Sequence, residues 1–288
     1  MWYHFSVPDA ATQSNSGTRK LGPQDARVER GWARLGVLFN CRPSRQTPDL
    51  EHLLLDTARA CPDNARLLPL VVTWLSQYGQ FVARHRLKRL VQAELEPEHS
   101  AILGLIIEEA VKAGGTRELL TVSEACEPRQ PAGPLSRAQR AEASLAEVSK
   151  RHASETSARW GAWAPLVEPK PDAIRPVSWL LEHNPDLRDR IVRKGDLRVS
   201  IIETLRRDVP EGTVPSEVAL ANLSGATRAA VRKALGALCL EGVVSVGVKP
   251  ENGRQHRVTL LSGAVPDKAA CISDESLLKP PSEGRVSQ

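Results

Sequence analysis

Residues 215–244 read PSEVALANLSGATRAAVRKALGALCLEGVV. Ser216 stands where a helix N-cap is needed and Glu217 places an acid in the first turn, so the spacing predicts a short helix over 217–223 whose Val218, Leu220 and Ala221 face a core. The break Ser224-Gly225-Ala226-Thr227 follows. Gly225 can take a positive φ at no steric cost, and Thr227 can cap a second helix over 228–241. On that helix Val231, Ala234, Leu235 and Leu238 share one stripe, whereas Arg228, Ala229, Arg232, Lys233 and Gly236 share the other. One face is apolar and its opposite is basic and small.

The flanks extend the pattern. Upstream, Leu197, Ile201, Ile202 and Leu205 recur at helical spacing on a segment that stops near Val209-Pro210. Downstream, 243–248 reads as a strand, 249–253 as a loop holding Pro250 and Asn252-Gly253, and 254–261 as the returning strand. Three helices and a β-hairpin wing make a winged helix-turn-helix over 196–262. Small residues let a helix backbone approach a major groove, and arginines offer forks for guanine O6 and N7 or for phosphates. Arg228 at the helix start also directs that N-terminus at a phosphate. Between residues 227 and 257, Arg228, Arg232, Lys233, Lys249, Arg254 and Arg257 outnumber Glu241 and Glu251.

The run VPEGTVPSEVALANLSGATRAAVRKALGALCLEGVV resembles the winged helix of GntR-type bacterial regulators, in which a PSE-x-x-LA helix precedes a G-x-[ST]-R-x-x-VR-x-AL-x-x-L-x-x-EG helix. The resemblance implies that Arg228 and Arg232 are the principal DNA contacts and that the wing loop at Asn252, Gly253 and Arg254 reaches the minor groove or its phosphates. Val218 departs from the basic residue often found there, and KPENGRQHR replaces a Gly-rich wing tip. Those regulators carry the domain at the N-terminus, while here it follows a helical half. The stretch from NPDLRDRIVRKGDLRVSII through GRQHRVTL resembles bacterial regulators with a helical front half, some of them companions of nucleotidyltransferase-like toxins. The candidate DNA-binding residues are Ser216, Thr227, Arg228, Arg232, Lys233, Lys249, Asn252, Gly253, Arg254 and His256.

The remainder of the chain predicts a mainly α protein with an N-terminal helical bundle. Residues 1–47 lack a sustained period and read as largely disordered, with a short helix over 24–35. Over 48–126, apolar stripes on segments 49–61, 64–77, 81–93 and 98–113 are separated by Pro62, Gly79, Pro97 and Gly114-Gly115. Trp74, Leu75, Leu87, Leu90, Leu103 and Ile106 are the expected core. Arg84, Arg86, Lys88 and Arg89 form a basic run for which a solvated face is the favoured reading. The three prolines of EPRQPAGPLSRAQ predict a linker over 127–175 with a helix near 138–152. Residues 176–195 read as a helical connector, with Trp179 and Leu180 packing on one domain, and 263–288 as a disordered tail.

With 288 residues, a net charge of +5 and a pI near 9.1, the chain suits a polyanionic partner without demanding one. The five cysteines form no C-x-x-C pair, which fits reduced thiols in a cytoplasm. There is no apolar run of about 18 residues and no signal-like start, so no membrane association is expected. His85, His99, His152 and His183 lack metal-site spacing, and no G-x-S-x-G or Walker-type loop occurs. No catalytic residue, cofactor or metal is expected. Two function classes remain. One is a sequence-specific transcriptional regulator, a repressor or autoregulator, binding double-stranded DNA as a homodimer. The other is an adaptor or antitoxin-like chain whose winged helix docks a protein from a neighbouring gene or represses its own operon.

Overall fold

The computed structural model describes residues 23–193, 196–248 and 256–261. The chain is mainly helical, and its apolar residues segregate into two cores.

The larger core is built on α1 (Pro23–Arg34), α2 (Leu50–Ala60), α3 (Leu67–Tyr78), α4 (Arg84–Glu94) and α5 (Pro97–Lys112). Asp49 caps α2 by accepting from the backbone N–H of His52, and Pro97 opens α5 where its missing N–H costs nothing. Trp74, Leu75, Leu87, Leu90, Leu103 and Ile106 are all buried, as their spacing predicts. Trp32 and Trp74 meet edge to face at 5.3 Å, each indole N–H satisfied: Trp32 donates to Thr57 Oγ1 at 2.7 Å and Trp74 to the Leu35 carbonyl at 2.8 Å.

Two expectations change here. Residues 23–47 are folded: α1 extends over the proposed short helix, and Val28, Trp32 and Leu35 are part of the core. One large aromatic, too isolated to give a period, anchors that segment. Residues 1–22 and the tail beyond 261 lie outside the described residues.

Second, the proline-spaced segment after Cys126 is not a free linker. It carries α6 (Leu120–Ser123) into α7 (Arg137–Arg140), α8 (Ala143–Arg151) and α9 (Glu155–Arg159), with β1 (Gly133–Pro134) and β2 (Ala162–Trp163) paired in parallel. Arg129 donates its backbone N–H to the Trp160 carbonyl at 3.0 Å. Trp160 lies so close over α5 that a Cβ on Gly104 would sit 2.4 Å from its ring. Loop hydrogen bonds and one tryptophan hold the segment, and neither leaves a periodic signal.

The proposed connector is helical and packs on one domain as expected, and that domain is the larger core. In α10 (Val177–His183) Leu180 is buried, and Asn184 donates to the Arg34 carbonyl at 2.9 Å, fastening this segment to α1.

After α11 (Arg188–Arg193), the smaller core collects α12 (Leu197–Glu203), α13 (Glu217–Ser224) and α14 (Arg228–Leu240). These pack on a three-stranded antiparallel sheet of β3 (Thr213–Val214), β4 (Val244–Val248) and β5 (His256–Leu260), in the order β3-β5-β4. Ile201, Ile202, Leu205, Leu220, Val231, Leu235, Leu238 and Val258 fill the space between. A Val246↔Val258 register places both on the core side of the hairpin. From Thr204 to Asp208, α12 continues as a π-turn, whose last residue Asp208 reaches Arg86 and Arg89 of α4.

The two cores meet at a seam of charge. Arg86 of α4, fully buried, donates to Asp49 at 2.8 Å, to Glu51 at 3.0 Å and to Asp208 at 2.6 Å. Arg190 bonds the other oxygen of Glu51 at 2.7 Å and reaches Glu203 at 2.8 Å, and Glu203 also receives Arg206 and Arg207. The basic run on α4 is thus only in part a solvated face: Arg86 is enclosed and Arg89 pairs with Asp208 at 2.7 Å, while Arg84 and Lys88 have only the exposed Glu118 and Glu124 as partners. Desolvating these charges is costly, and the cost is offset where each guanidinium meets at least one carboxylate within hydrogen-bond distance.

Candidate nucleic-acid interface

The residues between α13 and α14 set the outward face. Ser216 caps α13 by accepting from the Ala219 N–H at 3.1 Å. Gly225 ends it at φ 70°, ψ 31°, a left-handed conformation that favours glycine. Thr227 then caps α14 through the Ala230 N–H at 3.3 Å. Each of these two hydroxyls thus completes the start of its own helix.

On α14 the inner stripe of Val231, Ala234, Leu235 and Leu238 is buried, while Arg228, Ala229, Arg232, Lys233 and Gly236 are exposed. The division follows from the helical period acting on a sequence whose branched apolar residues lie mostly on one side, Leu240 at the helix end excepted. Gly236 is informative. A Cβ there would meet nothing within 4 Å, so no internal packing calls for glycine, although glycine in a helix interior costs about 1 kcal/mol relative to alanine.

Arg228 and Arg232, one turn apart, have side chains 59% and 63% exposed. They are not unpartnered. Glu217 of α13, nearly buried, accepts from Arg232 Nη2 at 3.0 Å and Nε at 3.2 Å, and the Arg228 Nε stands 3.7 Å away. One carboxylate therefore orients both guanidinium groups. Because it engages the Nε side of Arg232, the end-on fork that includes Nη1 is left for an outside acceptor. In the sequence Glu217 reads only as an acid in a first turn. Its contact with Arg232 spans fifteen positions across a turn, a distance at which no local pattern speaks.

The wing residues divide between described and undescribed. The pair Val248↔His256 is the last of the ladder, and Lys249, Asn252, Gly253 and Arg254 lie outside the described residues. His256 begins β5, and its side chain is likewise outside. Of the remaining candidates, Arg228 and Arg232 come together at Glu217, Lys233 is exposed on the same helix, and Ser216 and Thr227 are engaged as N-caps.

A cleft of about 490 Å³ opens beside the start of α14, between Asn222, Gly225, Thr227 and Ala230 on one wall and His85 of α4 on the other. Burial pushes the His85 imidazole below its usual range, and neighbouring Arg84 and Lys88 push it the same way. The ring is therefore neutral near pH 7 and can donate one hydrogen bond and accept another. No cluster of three or more His, Cys, Asp or Glu side chains suited to a metal occurs among the described residues, and no described helix is long and apolar enough to cross a membrane. Compared with known proteins, the chain matches no family model, no curated protein and no solved structure.

Proposed function

We propose that the smaller unit is a winged helix-turn-helix and that the chain is a sequence-specific, non-catalytic regulator of transcription, a repressor or autoregulator binding duplex DNA in a bacterial cytoplasm. The observation that carries this reading is the outer face of α14, where Arg228, Arg232 and Lys233 stand exposed around Ala229 and Gly236. Cations supply attraction to phosphates, and residues without bulk let a helix backbone descend into a major groove. The order of helices and strands, with a hairpin following α14, adds to it, as does the resemblance of 209–244 to GntR-type regulators. One α14 spans only a few base pairs, so two copies on a palindromic site are the natural arrangement.

A second reading draws on Leu240 at the end of α14, 93% exposed, and Val192, 77% exposed. Apolar side chains so open to water suit an adaptor or antitoxin-like role with a protein from a neighbouring gene. Selection of bound duplexes from a random-sequence pool separates the two. The regulator reading expects a palindromic motif and a loss of about 1–3 kcal/mol for Arg232→Ala on the selected duplex. Failure to enrich any sequence at low salt would sink it.

A further inference from the structure

We propose that α4 of the larger unit is a second duplex-contacting element, so that the DNA site is a composite of α14 and of Arg84, His85 and Lys88 beside it. The inference rests on the reading of the smaller unit as a DNA-binding domain and adds a surface that the domain alone does not possess.

The first ground is position. The turn that precedes α14 is seated directly on α4: a Cβ at Gly225 would lie 2.7 Å from the His85 carbonyl and 3.2 Å from Arg89 Cβ. His85 forms the wall of the cleft opposite Thr227 and Ala230, on the flank of α14 away from Glu217. A duplex that follows the exposed face of α14 towards its N-terminus therefore meets α4 next. The seam makes that neighbour a fixed one, because Arg86 on the inner side of α4 is locked to Asp208 at the end of the π-turn.

The second ground is charge. Arg84 and Lys88 are one helical turn apart and flank His85 on α4. Their partners on the far side are weak ones: Arg84 lies 4.0 Å from Glu118, which is 62% exposed, and Lys88 3.7 Å from Glu124, which is 68% exposed. Arg84 and Lys88 are themselves 21% and 39% exposed, so each pair is open to solvent mainly on its acidic side, and pairs at such distances contribute little and can exchange for phosphate oxygens. Asp196, the acid that acts on His85 from the other unit, is engaged in capping α12 and in a 2.8 Å pair with Arg198. The cleft wall is otherwise small, Ala221, Ala226 and Ala230 leaving room for a sugar-phosphate strand.

The experiment uses the full chain and a duplex selected by it from a random-sequence pool. Anisotropy titrations across salt concentrations compare wild type, Arg232→Ala, and the double variant Arg84→Ala/Lys88→Ala, with Arg84→Lys/Lys88→Arg as the charge-preserving control. A composite site lowers the slope of log affinity against log salt by about 2 in the double variant, roughly one for each phosphate that is no longer neutralised, and the control restores it. A hydroxyl-radical footprint should also shorten at one edge. If Arg232→Ala weakens binding while the double variant keeps the wild-type slope and footprint, α4 is no part of the site and the inference falls alone. Tighter binding by the double variant would overturn it too, since α4 would then obstruct the duplex. If wild type selects no duplex, or Arg232→Ala binds as wild type does, the underlying reading fails first.

Discussion

Two helices of this chain carry arginines at one-turn spacing, and the structure gives them opposite fates. On α4, in RHRLKRLVQAE, Arg86 is completely enclosed and held by Asp49, Glu51 and Asp208. On α14, in RAAVRKALGALCL, Arg228 and Arg232 remain more than half exposed and share one carboxylate. Nothing within either helix separates them. What differs is the number of acids delivered from elsewhere: Asp49 and Glu51 come from 37 and 35 positions away and Asp208 from 122. A guanidinium surrounded by carboxylates is a structural clamp, and one given a single carboxylate is oriented with capacity to spare.

The contrast is broken most decisively by removing the clamp. Arg86→Met should destabilise the fold by about 3–5 kcal/mol in urea denaturation, because Asp49, Glu51 and Asp208 keep their charge and lose their common partner. Arg232→Ala, at an exposed position, should move stability by no more than about 0.5 kcal/mol. Equal effects of the two substitutions would erase the distinction between clamp and contact.

Acid offers a titration of the same seam. Burial alone would raise the Glu203 carboxyl, but Arg190, Arg207 and Arg206 outweigh it and hold it down to about 2, against an ordinary 4.5. Burial opposes ionisation of Asp49 as well, and hydrogen bonds from His52 and Arg86 carry it well below its usual value. Carboxyls that are more acidic folded than unfolded add stability that is complete above the unfolded value and disappears as pH falls through the folded one. The urea midpoint should therefore hold near neutrality and decline between about pH 4.5 and 2, by on the order of 3 kcal/mol from Glu203. Glu203→Gln should be less stable at pH 7 and show a shallower decline. A variant that retains the full acid limb would take Glu203 out of the seam's titration.

These two fates also mark how far the sequence could be read. Elements whose signal is local were legible: the caps at Ser216 and Thr227, the turn at Gly225, and the buried stripe Val231, Ala234, Leu235 and Leu238 all lie where spacing puts them. The seam was not, since pairs such as Glu51 with Arg190 join residues 139 positions apart. Nor was the docking of residues 127–187 on the larger core, which depends on Trp160 over Gly104 and on irregular backbone bonds that proline-rich composition disguises as a linker. Of the proposed site, the outward arginines could be anticipated from helical phase, whereas Glu217 beneath them and His85 beside them required the tertiary fold.

A smaller effect sharpens the α14 side of the comparison. Gly236→Ala adds a methyl that touches nothing in the chain, so the fold should gain about 1 kcal/mol in thermal or urea unfolding. If α14 enters a groove, the same methyl costs affinity for the selected duplex. A more stable variant that binds equally well would mean that glycine is not kept there for a close approach.

Only a small change in stability is expected at Glu217, and there the contrast becomes a question of specificity. Glu217→Gln keeps the size of the side chain and removes the charge that orients Arg228 and Arg232. Both arginines are largely in water, so the fold should lose less than about 1 kcal/mol. The effect on DNA follows from two opposed consequences. A carboxylate removed from beside the duplex reduces repulsion of any phosphate, which raises affinity for unrelated sequence. A guanidinium no longer held must be ordered on binding, which weakens a bidentate contact with a chosen base. Titration of the selected and a scrambled duplex should therefore show the ratio of their affinities falling while non-specific binding strengthens. Were both affinities to rise together, Glu217 would act only as a neighbouring negative charge, and the orientation of Arg232 would have another source.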